Sequence, residues 1–345
     1  MFVKYADFEK ALNKLFNTES KIIVTFSSVD ERLYMSTNTT GLVKTAIPVY
    51  DIDEPVSFNV LIPRTIFIAQ AFEVRDMYIE LHDNFVAFNR GSCTQKFERV
   101  EYGSDTNYTP DKDNTVGIRM LDLTYIYTSV RNVNAGIKDT VVEFDDNGTA
   151  YITKSNTAII LRDFKNTFNI KSVKITYPIL KRIVSFFSDA EDVYVSVDDN
   201  TMTLTDGVDS FSFNVRPANL SKLKELRDKI DVQSLYTDYV KLPDFYSYSC
   251  IKEYIGKYNI VVNIDNTGTV SYDYVSVDKS ISFSFSDDST SNLKVLSMIL
   301  SGDQFRVLHA LFNGIRVEVR KLSDSTVMFS AGHTKLLLSC MILAR

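Results

Sequence analysis

The 345-residue chain has no tryptophan, and it has only 12 glycines, 7 prolines and three cysteines. Cys93, Cys250 and Cys340 are an odd number at wide spacing, which argues against a disulfide framework and fits a reducing compartment. No apolar run approaches the roughly 20 residues that a membrane helix needs. The start, MFVKYADFEKALNKLF, carries acids and lysines among its apolar residues, so no signal peptide is expected. An excess of positive charge is lacking too: 38 Lys+Arg against 44 Asp+Glu leave a net charge of -6, which excludes retention on nucleic acid by bulk charge. Any such contact must be local. The chain shows no Walker-type glycine loop, no nucleophile elbow and no paired His or Cys at metal spacing. Its three histidines, His82, His309 and His333, are scattered, and His82 and His333 fall in hairpins. The Asp-rich turns at Asp145-Asp146-Asn147-Gly148 and Asp198-Asp199-Asn200 lack the twelve-residue spacing and closing Glu of a calcium loop. The expectation is a cytoplasmic protein that is not an enzyme and has no metal, cofactor or membrane partner.

What the chain does have is β-forming residues. It is 45% hydrophobic with 19 Tyr and 23 Phe, rich in Val, Ile, Thr and Ser, and long enough for two or three domains. Six stretches run an alternating strand into a short polar turn and out through a second strand. They are IIVTFSSVDERLYMST, MYIELHDNFVAFNR, VVEFDDNGTAYIT, VYVSVDDNTMTLTD, VVNIDNTGTVSYD and VEVRKLSDSTVMFS. Their turns centre on Asp30, Asp83, Asp146, Asp199, Asn266 and Asp324, with steps of roughly 53, 63, 53, 67 and 58 residues. Asp and Asn suit these turns because they tolerate left-handed backbone and bond their own main chain.

A helical pattern precedes each hairpin. Phe8, Ala11, Leu12, Leu15 and Phe16 mark one face of a helix over 5–17. Further helices are expected over 63–74, 121–133, 177–189, 243–257 and 302–313, several with a proline or an acid in the first turn. Short and long steps alternate, so the six units group in pairs. The longer steps hold polar stretches at 104–115 and 218–239, read as linkers. The second contains LSKLKELRDKI, a possible surface helix. Three domains follow, over 1–103, 116–217 and 240–345, each long enough for its own core.

Three domains of two strand-helix-hairpin units resemble the bacterial DNA polymerase III beta-subunit, the sliding clamp. VSFNVLIPRTIFIAQAF and KSVKITYPILKRIVSFF look like that family's strand, proline and short helix, and GIRVEVRKLSDSTVMFSAGHTKLLLSCMILAR resembles its C-terminal end. The divergence suggests a phage or plasmid version, which would work in the host cytoplasm. The resemblance implies an α+β fold of three repeated clamp domains, with helices inside and antiparallel sheets outside. It also implies a head-to-tail homodimer closing a ring around double-stranded DNA, which tethers a replicative polymerase without reading sequence and takes peptides from polymerase and clamp loader.

For DNA, the helix faces turned from each core offer Lys10, Lys14, Arg64, Arg131, Lys181, Arg182, Lys252, Lys257 and Arg306, with His309 beside the last. Such cations are ordinarily a solvated helix face, and only the set, spread over six helices, points to phosphate. Carried over by position, the partner cleft would have one wall of Met341, Ile342 and Leu343 and another on AYITKSNTAII, around Thr157 and Ala158. The family's Gly-His-Arg-Leu run is replaced there by Ser155, Asn156, Thr157 and Ala158, which implies a reshaped or missing cleft. The dimer contact would join an edge strand centred on Phe97 to a surface near Tyr258 and Ile260, with Lys96, Glu98 and Arg99 as gatekeepers. The competing readings are a β-rich virion structural or adhesion protein without DNA binding, and an enzyme with an unrecognised site.

Overall fold

In the computed structural model the described residues are 1–16, 21–29, 31–38, 41–52, 56–63, 76–101, 115–132, 141–145, 149–154, 158–163, 172–232, 236–244, 259–275, 280–285 and 295–343. Along the chain, β1 (Phe2–Lys4) leads into α1 (Tyr5–Leu15), followed by β2 (Lys21–Val29), β3 (Arg32–Asn38), β4 (Leu42–Pro48) and β5 (Ser57–Pro63). Next come β6 (Asp76–Leu81), β7 (Phe85–Arg90), β8 (Cys93–Glu98), β9 (Val116–Arg119) and α2 (Met120–Asn132). The middle stretch holds β10 (Val141–Phe144), β11 (Thr149–Lys154), β12 (Ala158–Asp163), β13 (Val173–Thr176), α3 (Tyr177–Phe186), β14 (Asp192–Asp198), β15 (Thr201–Thr205) and β16 (Ser210–Asn214). The rest is β17 (Arg216–Pro217), α4 (Ser221–Val232), β18 (Tyr236–Lys241), β19 (Asn259–Ile264), β20 (Val270–Val275), β21 (Ser280–Phe285) and β22 (Leu296–Leu300), then α5 (Gly302–Phe312), β23 (Arg316–Ser323), β24 (Thr326–Ala331), β25 (Thr334–Ser339) and β26 (Met341–Leu343).

All six alternating stretches form antiparallel strand pairs: β2–β3, β6–β7, β10–β11, β14–β15, β19–β20 and β23–β24. Three of the turns show the expected chemistry in their described residues, while the turn centres Asp30 and Asp146 lie outside them. Asp199 is left-handed at φ 47°, and the Asp145 and Asp265 carboxylates accept the N–H of Thr149 and Thr269 four residues on. Four of the expected helices appear as α1, α2, α3 and α5, and LSKLKELRDKI lies in α4. Those over 63–74 and 243–257 lie almost wholly outside the described residues.

The chain divides into two compact units, Met1–Met120 with Arg182–Val215, and Leu121–Lys181 with Arg216–Arg345. The stretch 116–217 is thus shared between them, because its strands join sheets begun elsewhere. In the first unit an eight-stranded sheet runs β5-β2-β3-β4-β16-β15-β14-β9, and β4 pairs with β16 through Lys44↔Ser210 and Val43↔Phe211. Gly41, entering β4 at φ 132°, could not be replaced there: a Cβ would lie 2.5 Å from the Ser212 carbonyl. The four-stranded sheet β1-β6-β7-β8 completes the unit, and Phe8 of α1 meets Phe26 and Phe88, rings from the two sheets. Burial of such aromatic side chains is the main stabilising term.

The second unit holds a nine-stranded sheet, β17-β13-β10-β11-β12-β25-β24-β23-β18, and a five-stranded one, β21-β20-β19-β22-β26. Its cover includes α5, which starts on a reciprocal capping box between Ser301 and Gln304. Phe305 of that helix stands edge-on to Tyr272 at 5.1 Å.

Candidate nucleic-acid interface and partner surfaces

The helix-borne cations prove to be of two kinds. Lys14 is largely buried and bonds the Asp209 carboxylate at 2.5 Å, with its ammonium 5.9 Å from the Phe186 ring centre. Arg182 lies half-buried across Phe211, guanidinium to ring centre 4.8 Å. Both are braces inside the first unit rather than groups turned to solvent, since an aromatic face or a buried carboxylate replaces the water around the charge. His309 corrects the sequence reading outright. It is 2% exposed between Phe305 and Tyr272, and burial pushes its pKa down to about 3, so it is neutral and belongs to the core.

The other kind stays in water. Lys181 and Arg131 are exposed. Lys10 is exposed and pairs with Asp189 at 2.8 Å; the hydrogen bond and charge of Asp189 raise its pKa, and Lys10 in turn lowers that of Asp189. Surface pairs of this sort exchange readily for another anion. Arg306, about one-third exposed, leans 3.8 Å towards Asp303 one turn earlier. Arg64, Lys252 and Lys257 lie outside the described residues.

The expected cleft residues fall on different sheets. Ala158 is buried in β12 opposite Leu338, and Thr157 lies outside the described residues. Met341, Ile342 and Leu343 form β26, the end strand beside β22, with Met341 65% exposed and the other two half-buried. At the expected dimer edge, β8 is the end strand of its sheet, but the Phe97 side chain turns inward onto Phe88 at 5.5 Å. Its neighbours Lys96, Glu98 and Arg99 are exposed, Lys96 lying over the Phe85 ring. Ile260 is not at an edge: β19 is paired on both sides, by β20 and β22, and Ile260 is fully buried. The end strand opposite β26 is β21, and Tyr258 lies outside the described residues.

A further constellation escaped the sequence reading. The nine-stranded sheet turns Tyr151, Leu161, Met328 and Leu337 away from its Val142, Ile152, Ile160 and Phe329 side, and α4 covers them with Leu223, Leu226 and Ile230. Arg227 reaches from the helix to Asp145, which is fully buried, at 3.5 Å and to Asp163 at 3.7 Å. Asp145 also accepts the Tyr151 hydroxyl at 3.0 Å. Burial and the adjacent carboxylate push that phenol up to about 12. The spacing Leu220, Leu223, Leu226, Ile230 in the second linker was the signal that could have found this face.

Among the described residues no group of three or more His, Cys, Asp or Glu is placed to hold a metal ion, and no helix is long and apolar enough to cross a membrane.

No protein-family profile and no curated protein matches the chain. Solved structures do, over nearly its whole length. A Helicobacter pylori beta clamp bound to a DNA ligase peptide matches at TM-score 0.73 and 12% identity, covering 99% of both chains. A putative DNA polymerase III beta subunit from Eubacterium rectale matches at 0.75 and 13%, covering 99% of this chain and 98% of that one. The subunit beta of Pseudomonas aeruginosa matches at 0.74 and 10%, covering 99% of each. The fold is therefore that of the bacterial beta sliding clamps, at 10–13% sequence identity.

Proposed function

We propose that the protein is a DNA sliding clamp, a non-enzymatic processivity factor that encircles duplex DNA and tethers a replicative polymerase in the cytoplasm. The observation that carries this reading is the full-length likeness to beta clamps, with TM-scores of 0.73 to 0.75 and 98–99% coverage of both chains. Three modules of two repeat units, the period of the sequence, make half of a twelve-unit ring, so two copies close it head to tail. β8 and β21, each the end strand of its sheet, would meet in that closure, and the charges of Lys96, Glu98 and Arg99 discourage other pairings. The exposed helix cations Lys10, Arg131 and Lys181 supply weak phosphate attraction that reads no bases and lets the ring slide. The exposed side of Met341 on β26 contributes to capture of polymerase and loader peptides.

A ring held by topology stays on nicked circular plasmid through gel filtration at high salt and leaves once the plasmid is cut. Release from the closed circle at the same rate as from the linear form rejects the proposal. Proline placed at Gln95 or at Lys96, neighbours of opposite parity on β8, removes an outward donor in one of the two. Light scattering should then show a monomer for that variant.

A further inference from the structure

Lys10 and Lys14 stand one turn apart on α1, and both meet carboxylates of one later stretch of chain, Asp189 and Asp209. The two pairs differ in what they do. Lys14 and Asp209 are largely buried and 2.5 Å apart, and with Phe186 beside the ammonium they brace α1 against that stretch without further help. The Lys10–Asp189 pair lies in water, its side chains 62% and 55% exposed, where an ion pair adds little to the fold. Its carboxylate is nevertheless held in place. Asp189 sits in the turn that follows α3, between the buried Phe187, whose N–H donates to the Ile183 carbonyl, and Ala190, whose N–H donates back to the Phe187 carbonyl, both at 3.0 Å. From there it bonds the Lys10 ammonium at 2.8 Å, and Asp209 and Asp7 add to the negative field at the same nitrogen.

We propose that Asp189 is a phosphate surrogate, which occupies Lys10 whenever duplex phosphate does not and so limits the grip of α1 on DNA. The inference rests on the clamp reading and deepens it, by naming a residue that sets how loosely the ring holds what it encircles. A phosphate reaching Lys10 has to displace a carboxylate already hydrogen-bonded there. The pair carries no net charge, so it neutralises no phosphate and releases no DNA counterion, and the contact adds little affinity and little salt dependence. Without Asp189, Lys10 becomes an ordinary phosphate contact.

The test is fluorescence anisotropy of the full chain on a labelled linear duplex of about 30 base pairs, between about 50 and 200 mM salt. Asp189→Asn should tighten binding about two- to fivefold at the lower salt and steepen the slope of log K on log salt by about 0.9, the share of one phosphate contact. On a chain already carrying Lys10→Ala, the same substitution should change affinity by less than about 1.5-fold, since only the general effect of one charge is left. Asp324→Asn, which removes an exposed acid paired with Lys321, should stay within the same bound. Wild-type affinity and slope for Asp189→Asn, tightening that persists without Lys10, or an equal gain from Asp324→Asn overturns the inference. Loss of native circular dichroism by Asp189→Asn overturns it too, because the pair is then structural. Retention on nicked circular plasmid reads encirclement whatever Asp189 does. A ring retained on the closed circle but indifferent to Asp189 refutes this inference alone, and a chain that tightens on duplex through Lys10 yet escapes the closed circle refutes the clamp reading alone.

Discussion

Across the eight-stranded sheet, on the face turned from the core, register sets Thr25, Ser36, Lys44, Ser210 and Thr205 in one row. Across the nine-stranded sheet the corresponding rows are Glu143, Tyr151, Leu161 and Lys335, then Thr153, Ile159, Leu337 and Met328. The first face is polar, with buried hydroxyl side chains and Lys44 among them, and Thr203 and Ser212 bond each other at 2.9 Å. The second is apolar in its middle, and the chain spends a twelve-residue helix on covering it. Two sheets built from the same alternating hairpins therefore differ in what their second face demands. A hydroxyl row is at home in water or against backbone, whereas each Leu-sized side chain left uncovered forgoes about 1.5–3 kcal/mol.

The contrast is broken most severely at Tyr151. Its replacement by alanine empties a fully buried ring position and leaves Asp145 without the phenol, and a loss of about 3–5 kcal/mol is expected in urea unfolding. Next is Asp145→Ala, which strips a buried acceptor from Thr149, Tyr151 and Arg227 together; about 2–3 kcal/mol is expected by the same measurement.

Acid sharpens the difference from another side. His309 is neutral in the folded second unit with its pKa near 3, while the unfolded chain takes up a proton below the ordinary value of 6.5. Stability is full above pH 6.5 and falls as pH drops towards 3, by up to about 1.4 kcal/mol per pH unit. His309→Leu should flatten that branch in denaturant midpoints measured from pH 7 to pH 4. In the first unit, Thr203→Val with Ser212→Ala removes both partners of one hydrogen bond, and a change within about 1 kcal/mol is expected. A loss as large as that at Tyr151 would show that the hydroxyl face is no less demanding than the apolar one.

Much of the local architecture was readable beforehand. The six strand pairs and the buried face of α1 follow from residues within a few positions of each other: period-two alternation broken by short polar stretches, and apolar residues at helical spacing. The cation list fared differently because a solvated lysine and a bracing lysine look alike in sequence. Lys10 and Lys14 lie one turn apart on α1, yet one meets an exposed Asp189 and the other a buried Asp209. Ile260 shows the same limit: alternation identifies a strand but not whether neighbours flank it on both sides.

By itself the sequence determined the repeat, the hairpins, the helix faces and the absence of any recognisable catalytic motif, because these depend on the order of residues along one short segment. Only the tertiary structure decided which charges are spent inside. The partner of Lys14 lies 195 residues away, and Arg227 finds Asp145 across 82. It alone decided that β4 continues into β16 and β12 into β25, and that the second linker is a helix seated on an apolar face. The physical reason is that a side chain's environment is set by what folding brings to it, and hydrophobic burial and ion pairing act through space without regard to separation along the chain.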